Sequence, residues 1–176
     1  MKHLNEFTIS LSGNKEGVSE HHFNLHHDFF VHFDDQEVLD ADVKVSMTLI
    51  KSISVFEMNF KLLGEITVEC DRCLEPMQQE IDHEAKLIVK HGEEYKEIDD
   101  TVVTIGPNDD EINIASFVYE YAKLALPIQR AHEYDECNSD MLEQMSKYER
   151  KEDQEEEEKK TDSRWDILAQ LKDKLD

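Results

Sequence analysis

The sequence predicts an α+β fold: an antiparallel β-sheet with one packed core helix, then an acidic flexible linker and a short C-terminal amphipathic helix. Three observations carry this. Much of the chain up to about residue 105 alternates apolar and polar residues with period two, the signature of half-buried strands. Near residue 112 the period lengthens to that of a helix. Beyond about residue 143 apolar residues give way to a charged run before a final amphipathic stretch.

The strand signals follow in order. Phe7, Ile9 and Leu11 alternate with Glu6, Thr8 and Ser10. Val43, Val45, Met47 and Leu49 alternate with Lys44, Ser46 and Thr48. Phe56, Met58, Phe60 and Leu62 do the same, and the pattern resumes at Ile66, Val68 and Cys70 after a bend at Gly64-Glu65. Ile81, Ala85, Leu87 and Val89 form the next run, which starts near Met77. No long helical crossover separates these runs, so antiparallel pairing is expected. One apolar face per strand implies a sheet packed on one side and wet on the other. HDFFVHFDD, residues 27–35, reads as a short helix laid over that sheet.

Ile114, Phe117, Val118, Tyr121, Leu124 and Ala125 fall at helical spacing, with Asn113 as N-cap and Pro127 as the stop. They are expected to face the core, and Tyr119, Glu120 and Lys123 to face water. The run from about 143 to 161 cannot bury enough surface to offset the entropy of ordering it. In TDSRWDILAQLKDKLD, Ser163 and Asp166 resemble a capping box, and Trp165, Leu168, Leu171 and Leu175 line one helix face. A helix this short needs a surface to dock on. The expected organisation is a domain over 1–142, a linker over 143–161 and a docking helix over 162–176.

Charge narrows the partners. The chain has 42 acidic and 19 basic residues, a net charge of −23. Such a field repels a phosphate backbone and attracts a basic protein. The N-terminal MKHLNEFTIS lacks the apolar run of a signal peptide, no stretch is long enough for a membrane span, and three cysteines make no disulfide framework. A cytoplasmic protein with reduced thiols is expected.

The chemistry concentrates in ECDRCLEP, residues 69–76. Strands flank it, so Cys70 and Cys73 sit at a hairpin tip, where zinc knuckles place a first ligand pair. The third cysteine, Cys137, follows His132 in HEYDEC. Cys70, Cys73, His132 and Cys137 make a candidate Cys3His structural zinc site, provided the chain beyond the core helix returns to the tip. A metal-free tip with reduced thiols is the alternative. A redox pair fits less well, because Pro76 and a strand follow where a helix N-terminus would lower the thiol pKa. The pairs His21-His22 and His26-His27 are a weaker metal candidate. No phosphate loop, dinucleotide glycine pattern, nucleophile elbow or HExxH is present, so an enzyme is not expected. Arg72 and Arg130 near the tip, with Arg164, Trp165, Leu168 and Leu171 in the terminal helix, are the candidate partner or RNA contacts. Direct RNA binding through the basic tip remains the alternative to protein contacts, and metal or redox sensing through the CxxC is a further one.

Four segments together resemble the YceD family, whose members are named large ribosomal RNA subunit accumulation proteins: GEITVECDRCLEP at 64–76, EYAKLALPI at 120–128, HEYDEC at 132–137 and DSRWDILAQLK at 162–172. CDRCLEP and the tryptophan motif are the specific parts. Many members carry a second cysteine pair after the helix, where this chain has His132 and Cys137. The resemblance implies a bacterial, non-enzymatic ribosome-biogenesis factor that supports accumulation of large-subunit (23S) RNA. A precursor of the large subunit or a ribosomal protein would then be its partner.

Overall fold

The computed structural model describes residues 4–11, 17–53 and 55–148. The chain divides into two units, Met1–Leu142 and Glu143–Asp176. Leu175, the capping pair Ser163 and Asp166, and the expected linker beyond 148 lie outside the described residues, as do Arg164, Trp165, Leu168 and Leu171.

After a 3-10 turn at Asn5–Phe7, the elements are β1 (Thr8–Ser10), β2 (Gly17–His26), α1 (His27–Val31), β3 (Val38–Lys51), β4 (Val55–Glu69) and β5 (Pro76–His91). Then come β6 (Lys96–Asp99), β7 (Val102–Ile105), β8 (Glu111–Asn113), α2 (Ala115–Ala125) and α3 (Ser139–Tyr148). Among the described residues β1 and β8 pair with each other, and six strands form one sheet in the order β2-β3-β4-β5-β7-β6.

The alternation read from sequence becomes the register of this sheet. Met47 on β3 faces Phe60 on β4, which faces Ala85 on β5. Leu49, Met58 and Leu87 form the next row across the same three strands. Both rows point to the inner face, where Met47, Met58, Phe60 and Leu87 are buried. The opposite face carries Ser46, Lys61 and Glu84 and stays wet. Helix α2 covers the inner face at β5, with the Tyr121 ring 5.3 Å from Phe60. The short helix expected within 27–35 is α1, which buries Phe29 and Phe30.

Three expectations need correction. The antiparallel rule holds from β2 through β5, but β5 and β7 run parallel. The chain leaves β5, forms β6 at the sheet edge, and returns as β7 between them. The bend at Gly64-Glu65 lies inside one continuous strand, β4. The face of α2 is buried as read at Phe117, Val118 and Tyr121 but departs at three positions. Leu124, expected in the core, is 73% exposed. Lys123 and Tyr119, expected in water, are covered by the segment after α1. Tyr119 stacks on Phe33 at 4.3 Å and donates to Asp35 at 3.1 Å. Lys123 pairs with Asp35 at 2.9 Å and Glu37 at 2.8 Å. The N-cap of α2 is Ile114 rather than Asn113, which ends β8 while its side chain accepts the Ala115 amide. Leu126, extended before Pro127, ends the helix.

The Asp35 side chain is only 3% exposed. Burial raises its carboxyl, but bonds from Lys123, the Glu37 amide and Tyr119 outweigh this and hold it below its ordinary value of 3.8. A depressed folded pKa stabilises the protein above the ordinary value, and that contribution is lost as pH falls through the folded one. Asp35→Asn should therefore cost about 2 kcal/mol near neutral pH. The gap from wild type should close in acid below pH 3.8, as read by urea melts at the two conditions.

Candidate metal centre

The turn between β4 and β5 is built by its own backbone. The Cys70 amide donates to Glu75 O at 2.9 Å, and the Leu74 amide donates to Cys70 O at 2.9 Å. Leu74 closes the turn in the left-handed region at φ 62°, a conformation glycine enters at less cost. This folding aims amides at sulfur: the Arg72 amide lies 3.4 Å from Cys70 Sγ.

The second ligand pair arrives from the chain beyond α2. The Asp71 amide donates to Arg130 O at 2.6 Å, and the Arg130 amide donates to Asp71 Oδ2 at 2.7 Å. This reciprocal pair brings the segment back to the tip. The Arg130 guanidinium reaches Glu37 at 3.3 Å and Asp71 at 3.9 Å. On the far side the Asn138 side chain donates to Glu75 at 3.0 Å, and its oxygen takes the Asp140 and Met141 amides at the start of α3.

The result is a convergent cluster. Cys70, Cys73 and Cys137 are buried, His132 is half-buried, and one ligand atom from each lies within 4.8 Å of every other. Cys73 Sγ and His132 Nδ1 are 3.4 Å apart. A tetrahedral zinc ion with sulfur and nitrogen ligands needs donors about 3.5–3.8 Å apart, so a small contraction suffices. All three cysteines are free.

The electrostatics favour thiolate at the tip. Burial raises the Cys70 thiol, but the amides of Cys73, His132 and Arg72, with the Cys73 thiol, bring it down to about 6. The Asn138 amide is the main cause that lowers Cys73. Burial raises Cys137. A bond to Cys73 raises His132. Arg72 turns inward over the cluster. Its Nη1 donates to His132 O at 3.2 Å and to Cys137 Sγ at 3.5 Å, and the guanidinium lies 5.2 Å from the Tyr134 ring centroid. Among the described residues this is the group whose ligand atoms gather. The paired histidines do not converge: His21 and His22 alternate on β2, and His22 bonds Ser46.

A model of the family described as Large ribosomal RNA subunit accumulation protein YceD matches residues 58–172. The chain belongs to the YceD family. The matched stretch includes both halves of the cluster and α2 between them. No curated protein matches the chain, and no solved structure does. No helix among the described residues is long and apolar enough to cross a membrane. The four clustered residues of this YceD chain were legible in the sequence, but their braces, Asp71, Glu75 and Asn138, were not. The one available signal was the polar residues flanking each cysteine.

Proposed function

We propose that the chain is a non-enzymatic cytoplasmic accessory factor that supports accumulation of large-subunit ribosomal RNA. It acts through a basic protein partner, with a structural zinc ion held by Cys70, Cys73, His132 and Cys137. Membership of the YceD family carries the first part. The convergent ligand set supports the second. A metal-linked role suits the cluster better than redox exchange, because Cys70 and Cys73 are 0% and 2% exposed and a disulfide partner would have to reach them. Protein contacts suit the surface better than RNA contacts. The guanidinium groups of Arg72 and Arg130 are already engaged within the chain, and the net charge is −23.

The test is large-subunit RNA level in cells lacking the protein, with sedimentation of the tagged chain at low salt, with and without nuclease. Co-migration with an immature large-subunit particle and a fall in 23S RNA support the reading. Unchanged RNA and a chain confined to the top of the gradient overturn it. Capture of the partner should weaken as salt is raised. In the terminal segment Arg164, Trp165, Leu168 and Leu171 are the proposed capture residues. Trp165→Ala should abolish pull-down of that partner while the melting of the core stays unchanged.

Arg72 has a specific place in this reading. Three thiolates around a divalent ion leave one negative charge, and the guanidinium at Cys137 Sγ offsets it. Arg72→Ala should weaken zinc binding roughly tenfold to a hundredfold. Arg72→Lys should restore only part, since an ammonium cannot hold both acceptors in the same fork. Competition against a chromophoric chelator reads both.

A further inference from the structure

A groove of about 510 Å³ opens between β6 and α2, well apart from the cysteine cluster. Its walls combine exposed apolar side chains with carboxylates. Ile98 and Leu124 stand 55% and 73% exposed on it. Four carboxylates, Glu97, Asp99, Asp100 and Glu120, surround them.

These acids differ from several carboxylates elsewhere among the described residues. Asp35, Glu37, Glu57 and Asp71 each have a cationic partner. None of the four at the groove forms an ion pair among the described residues. Glu97 accepts the Tyr95 hydroxyl at 2.9 Å, and Asp99 accepts the Thr101 amide and hydroxyl at 2.8 and 2.9 Å. Lys90 acts on Asp99 from a distance. Unpaired charge around an apolar wall focuses a negative potential there.

A second observation points the same way. Tyr121 lines this groove and is 6% exposed, and its hydroxyl has no hydrogen-bond partner among the described residues. A buried donor left unpaired is destabilising, and an incoming carbonyl would relieve it. Burial and the charge of Glu120 push the phenol up to about 12, so it keeps its proton at neutral pH. Among the described residues the group that converges on a point is the cysteine cluster, and these carboxylates are not part of it. The edge position of β6 leaves this side of the sheet open to a further chain segment.

We infer that the groove between β6 and α2 is the docking surface for a lysine- or arginine-rich segment of a partner protein, anchored by an aliphatic side chain against Ile98 and Leu124. The inference rests on the reading that the chain works through a basic protein, and it adds to the terminal capture residues a second contact on the described domain.

The test uses the full chain and a fluorescent lysine-rich peptide with two leucines one helical turn apart, beside an all-lysine peptide of equal charge. The triple variant Glu97→Gln, Asp100→Asn, Glu120→Gln should weaken the leucine peptide roughly tenfold at low salt. Neutralising Glu65, Glu69 and Glu80, at the other end of β4 and β5, should change it less than about twofold. Leu124→Ser should remove the preference for the leucine peptide over the all-lysine one. Equal losses from both triple variants, or no preference in the wild type, would reduce the effect to bulk charge and overturn the inference. Displacement of the probe by a synthetic peptide of residues 159–176 at equal concentration would give the groove to the chain's own tail, and overturns the partner assignment. Rescue of large-subunit RNA in cells lacking the gene is scored separately. A groove variant that loses the peptide yet rescues fully overturns the groove's role and leaves the accessory-factor reading standing. A wild-type chain that fails to rescue overturns that reading and leaves the peptide result intact.

Discussion

Cys73→Ser should leave the sheet folded and strip the metal from its tip. Zinc content should fall from about one ion per chain to near zero, because a serine hydroxyl does not ionise as the thiol does and three ligands remain where a structural site needs four. Structural zinc in small domains supplies on the order of 10–16 kcal/mol to folding. Here the sheet has its own core in Met58, Leu62, Ile66 and Leu87, so the loss should stay local. The segment from Leu126 to Cys137 would keep its two hydrogen bonds between Asp71 and Arg130 and lose the cross-link. Limited proteolysis should then cut within that segment, while far-ultraviolet dichroism stays that of the wild type. A chelator should reproduce both effects on the unmutated chain, and added zinc should reverse them. If the wild-type chain, grown and purified in the presence of zinc, carries none and is indifferent to chelator, the metal reading fails. The cluster would then be a set of buried thiols braced by amides.

The tip was legible before its surroundings were. Cys70 and Cys73 stand between two clear alternating runs, so their place at a strand connection follows from local pattern alone. His132 and Cys137 were legible only as the remaining soft ligands. What brings them back is the reciprocal pairing of Asp71 with Arg130, and no periodicity encodes that. Strands β3, β4 and β5 were readable because each has one wet face. Strand β2 was hidden, since it lies at a sheet edge, Val18 is 68% exposed, and only Phe23 and Leu25 are buried. Strand β6 has four exposed residues and no apolar face to read. The helix α2 was placed correctly and its face was legible at Phe117, Val118 and Tyr121, but not at Lys123, which owes its burial to Asp35 and Glu37, far away in sequence. Sequence showed Arg72 as a basic group at an exposed tip. The structure turns its guanidinium inward, where a carbonyl and a sulfur offer acceptors.

Gly64→Ala should be among the most damaging single changes in the sheet, although it adds one methyl group. Gly64 lies within β4 with Val43 of β3 on one side and Ile81 of β5 on the other. Its φ is +154°, and a Cβ there would stand 2.1 Å from Asp42 O and 2.7 Å from Val43 Cα. Both obstacles are backbone, held in a ladder that runs from Val38 to Lys51, so neither can swing aside as a side chain would. The strands must separate or slip, and a one-residue slip would turn Met58, Phe60 and Leu62 to the wet face. A cost of about 3 kcal/mol or more follows from overpacking and backbone strain combined. In a domain of this size that lowers the melting midpoint by roughly 6–12 °C. Gly106→Ala is the matched control: the atoms nearest its Cβ belong to the Asp109 carboxylate, a side chain that can move. It should cost less than about 1 kcal/mol. Metal content separates the two layers of the structure. The turn at Cys70 is closed by its own bonds to Leu74 and Glu75, so the folded fraction of Gly64→Ala should still bind zinc. A wild-type melting curve for Gly64→Ala would mean that β3 does not approach β4 there. Loss of zinc from folded Gly64→Ala would mean that the tip depends on the sheet beneath it.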